Sequence, residues 1–338
     1  MESAPTQLGE PGSIVRSSHK PLNDENEKLS LYKQVCIIGL CKQGDDDNSQ
    51  VAMKVIHKCL VPSEDDAKKL CSQLNHLMTL SHPFILNTRD IFQDEKKIYI
   101  ISDFCSGGNL YSMLQTFGQL NESHVQFIAA QLILALRYLH EKNCIFCNLI
   151  AENVLIDNRG FVHLTGFGHT LFDVKKPYYG VTGFTECLSP EMLLNKGIDE
   201  SHDYWMLGCL LYGWELTELL EGHLPFQGDT VSDTLQAILV CKVSYKHATP
   251  VAQQFINSFL TSRPSKRLGR DFRALQNHEF LKGVDWKNLE TLSLTSPLIR
   301  INKTGDPTCY CSHFKEDIVD EGDGTVQYYN EIFLNSLN

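Results

Sequence analysis

The chain has 338 residues, of which 42% are hydrophobic and 21% charged, as in ordinary globular proteins. Its 30 basic and 41 acidic residues give a net charge of −11, which argues against a nucleic-acid-binding protein because those present a basic face. The twelve cysteines are scattered and follow no secretory segment, so we expect free thiols in the cytoplasm, with the nucleus as the alternative. Because no apolar run is long enough to span a bilayer, no membrane insertion is expected.

The first hundred residues predict a β-rich unit with one helix. Residues 1–28 are polar and rich in Pro, Gly and Ser, which predicts a disordered leader. The runs LYKQVCIIGLCK and QVAMKVIHK then predict a hairpin. Ser63, followed by three acids, predicts a helix start, and apolar residues at helical spacing continue that helix to about Leu80. Two further strands are predicted over 87–92 and 98–104.

Helices dominate after Ser106-Gly107-Gly108, which marks a hinge. Apolar residues on one face predict a long helix over 121–142, and a shorter helix is predicted over 109–117. Two short strands, NVLI and FVHL, follow, joined by a turn at 157–160. Further helices are predicted over residues 190–195, 202–219, 230–239, 251–260 and 273–278. Weak periodicity from residue 283 onward predicts an extended tail.

An ordered set of motifs resembles the eukaryotic protein kinases, and the AGC group of Ser/Thr kinases in particular. The motifs are VAMK (51–54), HPFI (82–85), SDFCSGGNL (102–110), ENVLID (152–157), GFG (166–168), SPE (189–191), DYWMLGCLLY (203–212), LPF (224–226) and RPSKRLG (263–269). VDW (284–286), SPLI (296–299) and SHF (312–314) match an AGC-type tail. The resemblance implies an α+β, bilobal protein kinase fold. It comprises a β-rich small lobe (29–105), a mainly α-helical large lobe (106–282) and the C-terminal tail (283–338).

The resemblance also implies contacts inside the large lobe. Trp205 and Gly208 should pack in its core. Glu191 should form a structural ion pair with Arg267. The alternative for the basic run 263–270 is a solvated charged face.

Most residues that transfer phosphate in this family are replaced here. Asn148 stands where the family has the aspartate that receives the substrate's hydroxyl proton, and a neutral amide is a poor proton acceptor. Gly166 replaces the metal-binding aspartate, so Asn153 is the one metal-binding position kept. Ile150 replaces the lysine that steadies the transferred phosphate. We therefore expect no Mg²⁺ site.

Other parts of the phosphate site are also altered. No glycine loop precedes Val35, so the close backbone approach that glycine allows is lost. Gln73 occupies the position of the helix glutamate, and its amide could hydrogen-bond Lys54 without forming an ion pair. Cys147 replaces the arginine that reads a phosphorylated activation loop, and we expect an ordinary thiol in the cleft. Tyr178 and Tyr179 are expected at the surface.

The nucleotide pocket is better preserved. The resemblance assigns adenine contacts to apolar residues, a hinge position to Asp103 beside the small residue Ser102, and phosphate contact to Lys54. The apolar residues are Val35, Ala52, Leu155 and, from the tail, Phe314. We expect weak binding of ATP, independent of Mg²⁺; the alternative is that these side chains simply fill the core.

Three functions follow from this pattern. The first is a pseudokinase, a scaffold or allosteric regulator whose partners are proteins, such as an active kinase or its substrate. The second is an atypical, weakly active Ser/Thr kinase in which Glu152 or Asp157 supplies a carboxylate. The third is a nucleotide-sensing module. Cys309-x-Cys311-x-His313 lacks a fourth ligand, so free thiols are expected there and no metal site.

Overall fold

The structure is a computed structural model. It describes residues 32–34, 40–43, 50–61, 63–117, 120–180, 188–215, 225–226, 228–245 and 248–300. The predicted leader, Val35, Phe314 and the Cys309–His313 cluster lie outside the described residues.

The small lobe contains a five-stranded antiparallel sheet in the order β1-β2-β3-β5-β4. The strands are β1 (Tyr32–Gln34), β2 (Leu40–Gln43), β3 (Gln50–His57), β4 (Thr88–Gln93) and β5 (Lys97–Asp103). Helix α1 (Glu64–Leu77) begins where predicted, because the Ser63 side chain accepts a hydrogen bond from the Asp66 amide at 3.2 Å. Its buried face packs on Ile98 and Ile100 of β5.

The large lobe is built from helices around α3. Its helices are α2 (Leu110–Phe117), α3 (Glu122–Glu141), α4 (Pro190–Leu193), α5 (Ser201–Glu215), α6 (Val231–Val240), α7 (Pro250–Phe259) and α8 (Phe272–Gln276). Its strands are β6 (Cys144–Ile145), β7 (Val154–Ile156), β8 (Val162–Leu164) and β9 (Leu171–Phe172), paired as β6-β9 and β7-β8. The apolar face predicted for α3 is buried, since Ile128, Leu132 and Leu136 have no exposed surface. The predicted α+β, bilobal kinase fold is thereby confirmed.

The predicted contacts at the base of the large lobe are present. The Trp205 ring is fully buried, stacked on Phe226 at 5.2 Å, with the Arg267 guanidinium 5.0 Å from its centroid. Gly208 lies so close to α7 that a Cβ atom there would be 2.8 Å from side-chain atoms of Phe259 and Leu260.

Glu191 and Arg267 form a buried, bidentate ion pair with both N–O distances at 2.6 Å. The guanidinium also donates to the carbonyls of Ser201 and Thr261, at 3.1 and 3.0 Å. Burial acts to raise the pKa of Glu191, but the hydrogen bonds and charge of Arg267 outweigh it and hold that pKa below its ordinary value. The solvated charged face is therefore wrong for Arg267.

The described part of the tail is not wholly extended. Helix α9 (Trp286–Glu290) begins at Asp285, whose side chain accepts from the Asn288 amide at 3.1 Å. Leu289 is fully buried, and Ser296 Oγ donates to the Gly160 carbonyl at 2.7 Å. The short helix was missed because five residues are too few for a periodicity to be visible.

Candidate nucleotide cleft

Asp203 of α5 holds the loop that precedes β7 through hydrogen bonds to its backbone. This carboxylate has no exposed surface and accepts hydrogen bonds from the backbone amides of Phe146 and Cys147, both at 2.8 Å. His140 Nε2 lies 2.8 Å from the same carboxylate. The Phe146 ring also contacts the Phe167 ring edge to face, with the ring centroids 5.2 Å apart. The loop and the GFG segment are therefore fixed relative to each other.

The structure brings Asn148, Asn153 and Gly166 together. Asn148 Nδ2 donates to the Gly166 carbonyl at 2.5 Å, and Asn153 Nδ2 donates to the Asn148 carbonyl at 3.0 Å. Asn148 Oδ1 is buried and has no hydrogen-bond partner among the described residues. An aspartate at position 148 would place an oxygen against the Gly166 carbonyl, so the amide suits this contact and a carboxylate does not.

Gly166 adopts a left-handed backbone conformation, with φ at +82°. A Cβ atom built there would be 2.4 Å from Asn153 Cγ and Oδ1. The Asn153 side chain thus lies where the side chain of residue 166 would begin. For any other residue to enter, Asn153 must leave this position and lose its bond to Asn148. We call this three-residue contact the amide clasp.

Lys54 lies on β3 opposite Ile100 of β5. It is exposed by surface area, yet desolvation by the surrounding protein lowers the pKa of its ammonium group. Within the part of the chain that the structure describes, no carboxylate pairs with it. Its assignment as the phosphate-contacting lysine stays a prediction.

Gln73 does not hydrogen-bond Lys54, contrary to the sequence-based expectation. Its Nε2 atom instead donates to the carbonyls of Gly168 and Thr170, at 3.2 and 3.4 Å. Gln73 ties α1 to the segment that follows GFG.

Two expectations about individual side chains are wrong. Cys147 is fully buried in an apolar cluster with Ile145 and Ile198 rather than in the cleft, and desolvation raises the pKa of its thiol well above the ordinary value. Tyr178 is half-buried against the same cluster and exchanges two backbone hydrogen bonds of 2.9 Å with Ile198. Tyr179 is 63% exposed, as expected.

Glu152 and Asp157 are the two carboxylates that could replace the aspartates missing at positions 148 and 166. Neither forms a hydrogen bond with the residues of the amide clasp. Glu152 is exposed. Asp157 accepts from the amides of Arg159 and Phe161, at 2.9 and 2.8 Å, and lies 3.4 Å from His163 Nε2. Burial acts to raise the pKa of Asp157, but the hydrogen bonds from His163 and Phe161 prevail and lower it. Asp157 thus stabilises the β7-β8 turn.

The predicted adenine contacts that the structure describes lie on both lobes. Ala52 of β3 pairs with the buried Ser102 of β5. Asp103, at the end of β5, forms a salt bridge of 2.5 Å with Arg89. Leu155 lies on β7, half-buried. These assignments stay predictions, as do those for Lys54, Asn148 and Asn153.

Asp203 was missed as a positioning residue, although it lies in the quoted motif DYWMLGCLLY. Its role needs the contact with residues 146–147, more than fifty positions away.

Among the described residues, no group of three or more His, Cys, Asp or Glu side chains could hold a metal ion. None of the described helices combines the length and apolar composition that crossing a membrane requires.

Comparison with known proteins agrees with this geometry. A family model for the protein kinase domain matches residues 38–281. The chain is 31% identical over 313 residues to a cAMP-dependent protein kinase catalytic subunit from Dictyostelium discoideum, covering 89% of this chain and 47% of that protein. It is 33% identical over 276 residues to serine/threonine-protein kinase sgk-1 from Caenorhabditis elegans, covering 80% and 58%. Ribosomal protein S6 kinase alpha-3 from Mus musculus is 32% identical over 308 residues, covering 86% and 41%.

The chain belongs to the protein kinase family. Its relatives are AGC-type Ser/Thr kinases, which confirms the group predicted from the motifs. The chain spans about half the length of the curated relatives it matches.

Proposed function

We propose that this protein is a pseudokinase that acts as a scaffold or allosteric regulator through protein contacts. The observation that carries the proposal is the amide clasp. Asn148 and Gly166 stand where the family has its proton acceptor and its metal ligand, and the vacated space is taken by Asn153. The clasp thus consists of neutral hydrogen bonds, and none of its three residues offers a carboxylate to a substrate or a metal.

The expected loss of rate is large. Removing a general base costs about 10²–10⁴ in rate. Removing a preorganised charge-stabilising group costs on the order of 10²–10³. Effects within one site do not multiply cleanly, but kinase turnover of roughly 1–100 per second leaves little after both losses.

A phosphotransfer assay tests this proposal. The full chain is incubated with labelled ATP, generic Ser/Thr substrates and Mg²⁺ or Mn²⁺, with Lys54→Ala as the matched control. We expect the two proteins to give the same background incorporation. Incorporation that clearly exceeds the Lys54→Ala background would favour the atypical kinase instead.

A second function, binding of ATP without metal, is favoured by Lys54. Gln73, Asn148 and Gly166 occupy three positions where the family has carboxylates, so no described side chain balances the Lys54 charge. A polyphosphate could balance it directly, whereas Mg²⁺ would find few ligands. This supports a nucleotide-sensing role compatible with the pseudokinase.

Thermal unfolding with ATP, in EDTA or in Mg²⁺, tests this second function. At 100 times its Kd, a ligand specific for the folded state stabilises it by about 2.7 kcal/mol. We expect a shift in EDTA at least as large as in Mg²⁺, and its loss in Lys54→Ala. If millimolar ATP does not shift the unfolding temperature in either buffer, the nucleotide-sensing function is wrong and only the scaffold role stays proposed.

The partners we propose are an active protein kinase or one of its substrates, met in the cytoplasm. The acidic net charge of −11 argues against nucleic acid. The free cysteines of the described residues suit a reducing compartment.

A further inference from the structure

His76 connects the two lobes at a point that the kinase motifs do not include. It lies in the last turn of α1 and is the basic residue of that turn. Its ring stacks on Phe172 of β9, with centroids 4.8 Å apart and planes 17° apart. Together with the Gln73 contacts, this fastens α1 to residues 168–173.

Both ring nitrogens of His76 face an acceptor. Nδ1 lies 2.7 Å from the Ser72 carbonyl, and Nε2 lies 3.0 Å from Asp173 Oδ2. A carbonyl and a carboxylate have no hydrogen to donate. A neutral imidazole has a single N–H and so satisfies one of the two contacts, whereas the doubly protonated ring donates to both.

A helix end and a carboxylate lie beside the ring. The carboxyl end of a helix carries a partial negative charge, and His76 lies there. Asp173 is the carboxylate opposite the ring, on the segment that follows β9. The residues three and four positions from His76 along the chain are uncharged: Ser72, Gln73, Thr79 and Leu80.

Three more titratable groups belong to the elements packed nearby. His169 lies in the 3₁₀ turn Phe167–His169, which packs on α1. Lys142 and Lys176 flank the β6-β9 pair, since their charges act on Cys144 together with that of Asp173.

We propose that His76 is a proton-dependent latch that holds helix α1 on residues 172–173. In the protonated state the ring bridges Ser72 and Asp173 and stacks on Phe172. On deprotonation the ring loses one donor and its charge attraction to the carboxylate, while it keeps its stack on Phe172 and one of the two contacts. Histidine changes charge between about pH 5 and pH 8, so the latch works in the range that cells use. This inference goes beyond the pseudokinase proposal and does not depend on it.

Hydrogen exchange in the full chain tests the latch. Exchange of peptides that cover α1 and residues 167–175 is measured for wild type and His76→Gln at about pH 6 and about pH 8. The variant-to-wild-type ratio at each pH removes the intrinsic pH dependence of exchange. At about pH 6 we expect exchange about two- to five-fold faster in the variant, the range for partly exposed ion pairs. At about pH 8 we expect a clearly smaller ratio, because the neutral ring contributes only its stack on Phe172 and one of the two contacts.

Two further variants keep the test decisive. Asp173→Asn should behave like His76→Gln, and it should fold, because residue 173 is exposed with φ at +49°, a conformation that asparagine tolerates. His163→Gln, a histidine beside Asp157 away from α1, should leave these peptides unchanged at both pH values. A ratio near one at about pH 6, or the same increase at both pH values, overturns the proposal.

Discussion

Two polar regions of the large lobe differ in what their side chains do. At the base, Glu191 and Arg267 remain a charged, buried, bidentate pair. In the cleft, Asn148 and Asn153 meet Gly166 through neutral amides. The first region holds backbone in place and keeps its charges. The second has neutral residues at two positions where the family resemblance places carboxylates, and these residues are packed together.

The difference separates the requirements of the fold from those of the chemistry. A buried charge whose partner is removed leaves the other charge uncompensated, so neither member of the base pair can be lost alone. A carboxylate beside an open cleft carries no such constraint, and its replacement affects catalysis more than folding. Three substitutions test this contrast, beginning with the largest expected effect.

Glu191→Gln should reduce the free energy of unfolding by about 3–5 kcal/mol, because it leaves the buried Arg267 guanidinium without its counter-charge. Denaturant unfolding monitored by circular dichroism measures this. Glu279→Gln removes an exposed ion pair with Lys282 and should cost at most about 1 kcal/mol. Similar costs for both variants would show that the base pair is not the anchor described here.

Gly166→Ala should cost about 1–2 kcal/mol, because the left-handed backbone disfavours a Cβ atom and Asn153 must move. Gly168→Ala is the matched control from the same motif, since a Cβ there meets no atom within 4 Å, and it should change stability by about 0.5 kcal/mol at most. Both are measured by denaturant unfolding. Equal effects at the two glycines would contradict the amide clasp.

Asp157→Asn should have the smallest effect, below about 1 kcal/mol at neutral pH, because the turn keeps an acceptor and the partner His163 is partly exposed. The folded-state pKa of Asp157 lies below its ordinary value of about 3.9. The contribution of the carboxylate is therefore complete above that value and is lost as the pH falls through the folded pKa. Unfolding curves from pH 7 to about pH 3 should converge for wild type and variant; a gap that widens on acidification would contradict this sign.

The fold could be predicted well from the sequence because its signals are local. Ser63 and its acids specify the start of α1, and apolar periodicity specifies α3. The replaced residues of the cleft were also visible, since Asn148 and Gly166 lie inside recognisable motifs. What could not be read was where the side chains point.

The three errors at the site share that cause. Gln73 turns to the Gly168 and Thr170 carbonyls, Cys147 points into an apolar cluster, and Tyr178 packs on Ile198. Each orientation depends on partners distant in sequence. The space that Asn153 occupies over Gly166 is likewise a tertiary property. A motif identifies the residue at a position but not the atoms it will meet.

The position of the Asp203 carboxylate indicates which contacts around the cleft can move and which cannot. It joins the backbone of residues 146–147, which precedes Asn148, to α5 in the core of the large lobe. We therefore expect the backbone of residues 146–147 to open only together with the core of that lobe. On the side of the small lobe, Gln73 and His76 of α1 contact residues 168–173, and both side chains are partly exposed. We therefore expect a binding partner that changes the shape of the cleft to act on the contacts of α1, while residues 146–147 keep their position.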